Sequence, residues 1–252
     1  MRREGFAEHL EHFEVLADRE LMAGFPTVAR LRVRDLDILL TQSANGSGVV
    51  SGAPYDPNFG KMMIKTASHL LAAGTGAVYA FAEREEISAL VAPAPDDDEE
   101  GRDARELLVR LVSEASAKLS LLAGTPATFE ARLYEFPNPQ LALEYFRWRQ
   151  DQARMRALDR YCAYALAHKS GQHSRDSEKV LEGMAEDEKV EILRNSDIDF
   201  ENLPSWQRRG AGVYVRKPNG SPDGEPRLVV DPELPAAEAY TDYLKRFFFA
   251  RV

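Results

Sequence analysis

From Ala29 to Arg34 apolar side chains and arginines alternate without a break, in Val28-Ala29-Arg30-Leu31-Arg32-Val33-Arg34. Strand side chains point to opposite faces in turn, so Arg30, Arg32 and Arg34 would share one face and Ala29, Leu31 and Val33 the other. A row of guanidiniums on a sheet face needs anions. Two other strand-like segments can supply them: Tyr79-Ala80-Phe81-Ala82 runs into Glu83, Glu85 and Glu86, and Phe129-Glu130-Ala131-Arg132-Leu133 alternates a carboxylate outward. If these strands are neighbours, they form a site with carboxylates from two strands and arginine where a third could have stood.

A long helical stretch carries a second set of cations. Arg149, Arg156 and Arg160 fall within one narrow arc, and both phosphate contact and a merely solvated face fit them. Arg147 and Arg154 flank Asp151 on another arc, where an intrahelical ion pair is the simpler reading. Leu141, Tyr145, Trp148, Met155 and Cys162 follow helical spacing and read as the buried stripe of the same helix. Trp206 beside Arg208 and Arg209 suits base stacking with phosphate binding, and it equally suits a core anchor.

The elements that would position these groups follow from pattern and punctuation. Helical spacing at Phe6-Leu10-Phe13-Leu16 precedes the arginine strand, and a polar stretch from Thr41 to Gly52 follows it. Phe59 to Ala73 reads as a helix ended by Gly74. Thr75 to Ala82 and Ile87 to Val91 read as strands around a Glu83-Arg84-Glu85-Glu86 turn. Ala104 to Ala123 is a helix closed by Gly124, Thr128 to Phe136 a fourth strand, and Pro139 to about Lys169 the long helix. This order predicts an α+β fold, a ferredoxin-like, polymerase-palm-like antiparallel sheet of four strands with helices on one face and the other face left for ligands. Residues 1–170 would form that palm. Residues 171–252 would be a C-terminal extension packed on it, with helices at Ser174–Leu181, Asp187–Arg194 and from about Pro235, and short strands at Gly212–Arg216 and Arg227–Val230.

The 252 residues, 44% hydrophobic and 29% charged, suffice for a sizeable core. A net charge of −9 argues against indiscriminate nucleic-acid binding and leaves a local basic face as the route to it. The run Asp96-Asp97-Asp98-Glu99-Glu100 reads as a solvated loop. A single cysteine, Cys162, excludes an internal disulfide and fits a cytoplasmic setting. The N-terminus lacks a signal-peptide core, and the best apolar run, Leu70 to Ala82, is broken by Gly74 and Gly76, so no membrane span is expected.

These segments resemble the tRNA-histidine guanylyltransferases and their bacterial relatives, the 3′–5′ RNA polymerases that repair tRNA 5′ ends, and the bacterial branch above all. The resemblance runs from about Pro26 to the C-terminus. It is carried by Val28-Ala29-Arg30-Leu31, Glu85-Glu86-Ile87-Ser88, Glu114-Ala115-Ser116-Ala117-Lys118, Tyr145-Phe146-Arg147-Trp148-Arg149 and Leu203-Pro204-Ser205-Trp206-Gln207-Arg208-Arg209-Gly210. The last two are the most specific. The resemblance implies a polymerase-like palm, Mg²⁺, ATP and GTP as substrates, a tRNA 5′ end as acceptor, and a dimer or tetramer.

Departures from the family pattern fall on its active-site positions. The opening strand of the family ends Arg-(Ile/Leu)-Asp-Gly-Arg with a metal-ligating Asp, and here Arg32 holds that place. A Ser-Asp-Glu motif corresponds to Arg84-Glu85-Glu86, and a further acidic position to Glu130. The triphosphate-binding Lys and Ser fall near Asp103 or Glu106 and Val109, and a His-Ile-Asn-Asn segment at Arg154-Met155-Arg156-Ala157. Two like unit charges about 4 Å apart cost on the order of 4 kcal/mol at an effective dielectric near 20, so a fixed guanidinium beside Mg²⁺ is unfavourable. Arg32 is therefore expected to pair with Glu85 or Glu130 in place of a metal, with Asp35 and Asp37 as the candidates to rescue a metal site. The expectation is a catalytically degenerate, RNA-binding or partner subunit, with RNA contacts at Arg149, Arg156, Arg160, Trp206, Arg208 and Arg209. No metal or other cofactor is expected, and the expected partners are tRNA or another structured RNA and either further copies of the chain in a homo-oligomer or an intact homologue in a hetero-oligomer. Two alternatives stand beside it: an active nucleotidyltransferase using Mg²⁺ with ATP or GTP, its metal on Glu85 and Glu130 in a rearranged site, and a protein-interaction module without nucleic acid.

Overall fold

The computed structural model describes residues 19–42, 54–92, 103–170, 180–216 and 226–248. The expected patterns at Phe6–Leu16 and Asp96–Glu100 lie outside them, and those at Thr41–Gly52 and Ser174–Leu181 almost wholly so.

The arginine strand forms as expected: β1 (Thr27–Val33) buries Ala29, Leu31 and Val33 on one side and leaves Arg30 and Arg32 on the other. A short helix α1 (Leu36–Gln42) follows. Helix α2 (Pro57–Ala72) starts where Asp56 accepts hydrogen bonds from the amides of Asn58 and Phe59, at 2.7 and 3.2 Å, with Pro57 in its first turn. Strands β2 (Ala77–Glu83) and β3 (Glu86–Val91) are joined by the two-residue turn Arg84-Glu85, in which Arg84 takes φ 33°. Helix α3 (Ala104–Ala123) is capped by Asp103 at its start and by left-handed Gly124 at its end. Then come β4 (Phe129–Glu135) and the 32-residue α4 (Pro139–Ser170).

The C-terminal part adds α5 (Glu186–Arg194), α6 (Ser205–Arg209), β5 (Ala211–Arg216), β6 (Arg227–Asp231) and α7 (Ala237–Phe248). Its two strands join the sheet beside β2. The sheet is antiparallel throughout, with six strands in the order β4-β1-β3-β2-β5-β6. The α+β palm architecture holds, with one addition. Helices α2 and α3 pack on Ala29, Leu31, Ala80 and Ile87, as expected of a one-sided palm. On the opposite face, α4 and α7 press Leu143, Phe146, Tyr240 and Leu244 onto Val28, Tyr79, Phe81 and Leu90, covering part of the face expected to be free. Among the described residues no helix is long and apolar enough to cross a membrane.

Gly210 joins α6 to β5 at φ 71°, ψ −178°, a conformation essentially reserved for glycine. A Cβ there would lie 2.5 Å from the Phe81 ring and 2.9 Å from the Ala82 carbonyl oxygen. Gly210→Ala is therefore expected to cost about 1–3 kcal/mol, read as a lower urea midpoint at unchanged slope. An unchanged midpoint would contradict this account of the turn.

Candidate functional site

The second sheet face gathers charge because of its register. Arg32 lies opposite Glu86 on one side and Glu130 on the other, Arg30 opposite Ser88 and Arg132, and Glu83 opposite Glu86. Helix α4 crosses this face and delivers Arg149, Arg156 and Arg160, the arc read from helical spacing. Arg30 makes a two-pronged contact with Glu86, Nε to Oε2 at 3.2 Å and Nη2 to Oε1 at 2.7 Å. Arg149 donates to Glu86 and, at 3.2 Å, to Glu83. Arg156 reaches the same two carboxylates at 3.3 and 3.4 Å. Arg160 donates to Glu85 at 2.9 Å and lies 3.7 Å from Glu83. Tyr55, stacked on Tyr161, places its ring under the Arg160 guanidinium at 6.0 Å.

Arg149 has 0% and Glu83 1% exposed side chain, so this network lies inside the protein. Burial, reinforced by the Glu85 charge, raises the Glu83 carboxyl above its usual range despite the arginines around it. Burial pushes Glu86 the same way, but the hydrogen bond from Arg30 and the charges of Arg149, Arg30 and Arg156 outweigh it and hold Glu86 below its ordinary 4.5.

A cleft of about 570 Å³ opens beside the network. Arg32, Arg34 and Arg84 line it, together with Asp35, Asp37, Glu85 and Glu130. Mg²⁺, which the family resemblance implies, does not fit this donor set. Both oxygens of Glu85 already accept hydrogen bonds, from Arg84 at 3.2 Å and Arg160 at 2.9 Å. Among the described residues, Asp35 and Asp37 included, no three His, Cys, Asp or Glu side chains come together as a metal site. The expected pairing of Arg32 with Glu85 or Glu130 is not seen. Arg32 is exposed and makes no ion pair among the described residues, because Arg84 and Arg160 have taken Glu85.

Several expected RNA contacts are occupied inside the fold. Arg149 is fully buried, and Arg156 and Arg160 bond carboxylates. Arg208 is buried, with Nε on the Leu203 carbonyl at 3.0 Å and Nη1 on Glu201 at 2.8 Å. Trp206 takes the role of core anchor, packing on Gly60 and edge-on to Tyr55 at 6.0 Å. Arg209 is half-buried, its Nε without a hydrogen-bond partner among the described residues. Arg154 pairs with Glu186 and Glu201 and not with Asp151. Of the expected stripe of α4, Cys162 is buried and Tyr145 packs against the core, but Leu141, Trp148 and Met155 are 41%, 46% and 53% exposed, and Phe146, Arg149, Ala153 and Ala157 are inside instead. Three site features escaped the sequence reading, namely the Tyr55 platform, the left-handed Arg84 and the exposed Trp148. An isolated Tyr between Pro54 and Asp56 gives no signal, and Trp148 on an apolar arc gives a misleading one.

Comparison with known proteins agrees with this architecture. Residues 140–236 match the Thg1 C terminal domain, a span that holds both of the most specific motifs. Over this span the chain is similar to the Thg1 family. A probable tRNA(His) guanylyltransferase of Dictyostelium discoideum is 29% identical over 113 residues, covering 42% of this chain and 44% of that protein. tRNA(His) guanylyltransferase 1 of Arabidopsis thaliana is 32% identical over 112 residues, covering 42% of this chain and 20% of its own length. The matched region thus spans less than half of these curated relatives. Among solved structures, a bacterial tRNA(His) guanylyltransferase (Thg1)-like protein in complex with ATP superposes with a TM-score of 0.71 at 19% identity, covering 99% of this chain and 100% of that one. The tRNA(His) guanylyltransferase of Saccharomyces cerevisiae does so with 0.69 at 22% identity, covering 82% and 91%.

Removing one partner of a buried ion network strands the others. Arg149→Leu is expected to lower the unfolding free energy by about 3–5 kcal/mol, measurable in urea. Because the Glu86 carboxyl is held below 4.5, its stabilising contribution is present above that pH and is lost as pH falls through the folded value. Glu86→Gln should therefore flatten the acid limb of the stability–pH profile, and an acid limb identical to wild type would refute the assignment.

Proposed function

We propose that this Thg1-like protein has given up nucleotidyl transfer and serves as an RNA-binding or partner subunit. The observation that carries the reading is the state of Glu85. It is the carboxylate at the position where the family resemblance implies a metal ligand, and guanidiniums hold both its oxygens. Arg32 adds a further fixed cation in the same cleft. Two-metal transfer needs hard anionic oxygens bridging two cations, and guanidiniums in that shell both repel Mg²⁺ and fill its coordination space. The cleft is of a size that takes nucleotide-like ligands. Bacterial proteins of the same fold are solved in complex with GTP and with ATP, and the ligand proposed for this chain is likewise phosphate-bearing, held in the cleft by arginines.

A second reading rests on Asp35, Asp37 and Glu130, which line the same cleft and could regroup around Mg²⁺ in an active enzyme. One assay separates the two. The purified chain, given tRNA with a 5′ monophosphate or triphosphate, ATP, GTP and Mg²⁺, is expected to add no nucleotide. It should retain tRNA equally well in Mg²⁺ and in EDTA. Arg32→Asp alone is not expected to restore addition, because Arg84 and Arg160 remain on Glu85. Guanylyl addition by the unmodified chain would overturn the proposal.

A further inference from the structure

Glu130 reaches the cleft from β4, and on the same face of that strand Arg132 and Tyr134 follow at two-residue intervals. This face runs about 13 Å from the cleft toward the far end of β4, four residues at about 3.3 Å each. There it meets a pile of rings. Tyr134 stacks with Phe136 at 6.4 Å, Tyr145 of α4 touches both at 5.5 and 5.7 Å, and Trp148 lies 6.1 Å from Tyr145. Trp148 ends the pile 46% exposed.

Charge decides what such a strip suits. Arg30, Arg84, Arg149, Arg156 and Arg160 are all answered by Glu83, Glu85 and Glu86. Arg32 and Arg132, diagonal neighbours across β1 and β4, are exposed and have no ion-pair partner among the described residues. In a chain of net charge −9, two unanswered guanidiniums between an accessible indole and a cleft are complementary to a phosphate backbone carrying open bases. Duplex bases are already stacked and cannot use the indole, whereas single-stranded bases can.

Building on the RNA-binding reading above, we infer that the strip from Trp148 through Tyr134 and Arg132 to Arg32 binds single-stranded RNA. Bases stack on Trp148, phosphates sit on Arg132 and Arg32, and the strand is led into the cleft.

The test is fluorescence anisotropy of a labelled short single-stranded RNA of mixed sequence with the full chain, alone and annealed to its complement, across a salt series. The single strand is expected to bind in preference to the duplex. Trp148→Ala should weaken binding about tenfold or more, and Trp148→Phe, which keeps a ring, should recover most of it. Arg132→Ala should reduce the salt slope by about 0.7 unit. Thermal melting checks that the variants fold. Arg132 is exposed and has no ion-pair partner among the described residues, so its variant keeps the test decisive should Trp148→Ala unfold. Wild-type affinity and salt slope in both Trp148→Ala and Arg132→Ala would overturn the strip while leaving the RNA-binding reading intact. No retention of any RNA by the wild-type chain would overturn both. Self-association of the chain that Trp148→Ala abolishes, with RNA binding unchanged, would assign the strip to a protein contact and equally overturn it.

Discussion

Glu83, buried at the end of β2 beneath three guanidiniums of α4, locks the sheet to the helix that crosses it. A carboxylate taken out of water is tolerated only with close cationic partners, so the helix that supplies them cannot be placed freely. A slip of α4 by one residue would rotate Arg149 by about 100° around the helix axis, away from both Glu83 and Glu86. Helix position, sheet register and the hairpin carrying Glu85 are thereby tied together. The aromatic packing of Phe146 and Tyr145 to one side of Arg149 then follows from the same rotation.

The network also sets the chemistry of the cleft beside it. A guanidinium and a divalent cation both balance carboxylates, but only the cation can exchange, accept water or bridge two incoming oxygens. A cluster balanced by side chains is a permanent part of the protein. With Glu85 clamped from both sides, the groups that line the cleft around it include guanidiniums on β1 and the loop after it, beside Asp35, Asp37 and Glu130.

Much of this was legible in the sequence. The alternation from Ala29 to Arg34, Gly124 as a terminator and the two-residue gap between Glu83 and Glu86 fixed strand faces, a helix end and a hairpin by local rules. The arc of Arg149, Arg156 and Arg160 was legible as an arc, but its ligand was not. A guanidinium looks the same whether phosphate answers it or a carboxylate 66 residues away, as Glu83 is from Arg149. The buried face of α4 was misplaced for a related reason. It contains Arg149 and Gln150, which a hydropathy pattern sends outward, while the competing arc with Leu141, Trp148 and Met155 is more apolar. The pairing of β5 with β2, with Tyr214 opposite Tyr79, is a long-range contact that no local pattern encodes.

The position of β4 at the margin of the sheet has one more consequence. Among the described residues β4 is paired on one side only, and such a strand offers a row of free backbone groups to any other extended chain, the usual starting point for sheet-to-sheet aggregation. Here Glu130 and Arg132 alternate along the strand with Glu135 at its end, so an incoming strand would have to strip water from charges of both signs before its backbone could engage. The alternation of charge thus guards this margin of the sheet against templating fibrils.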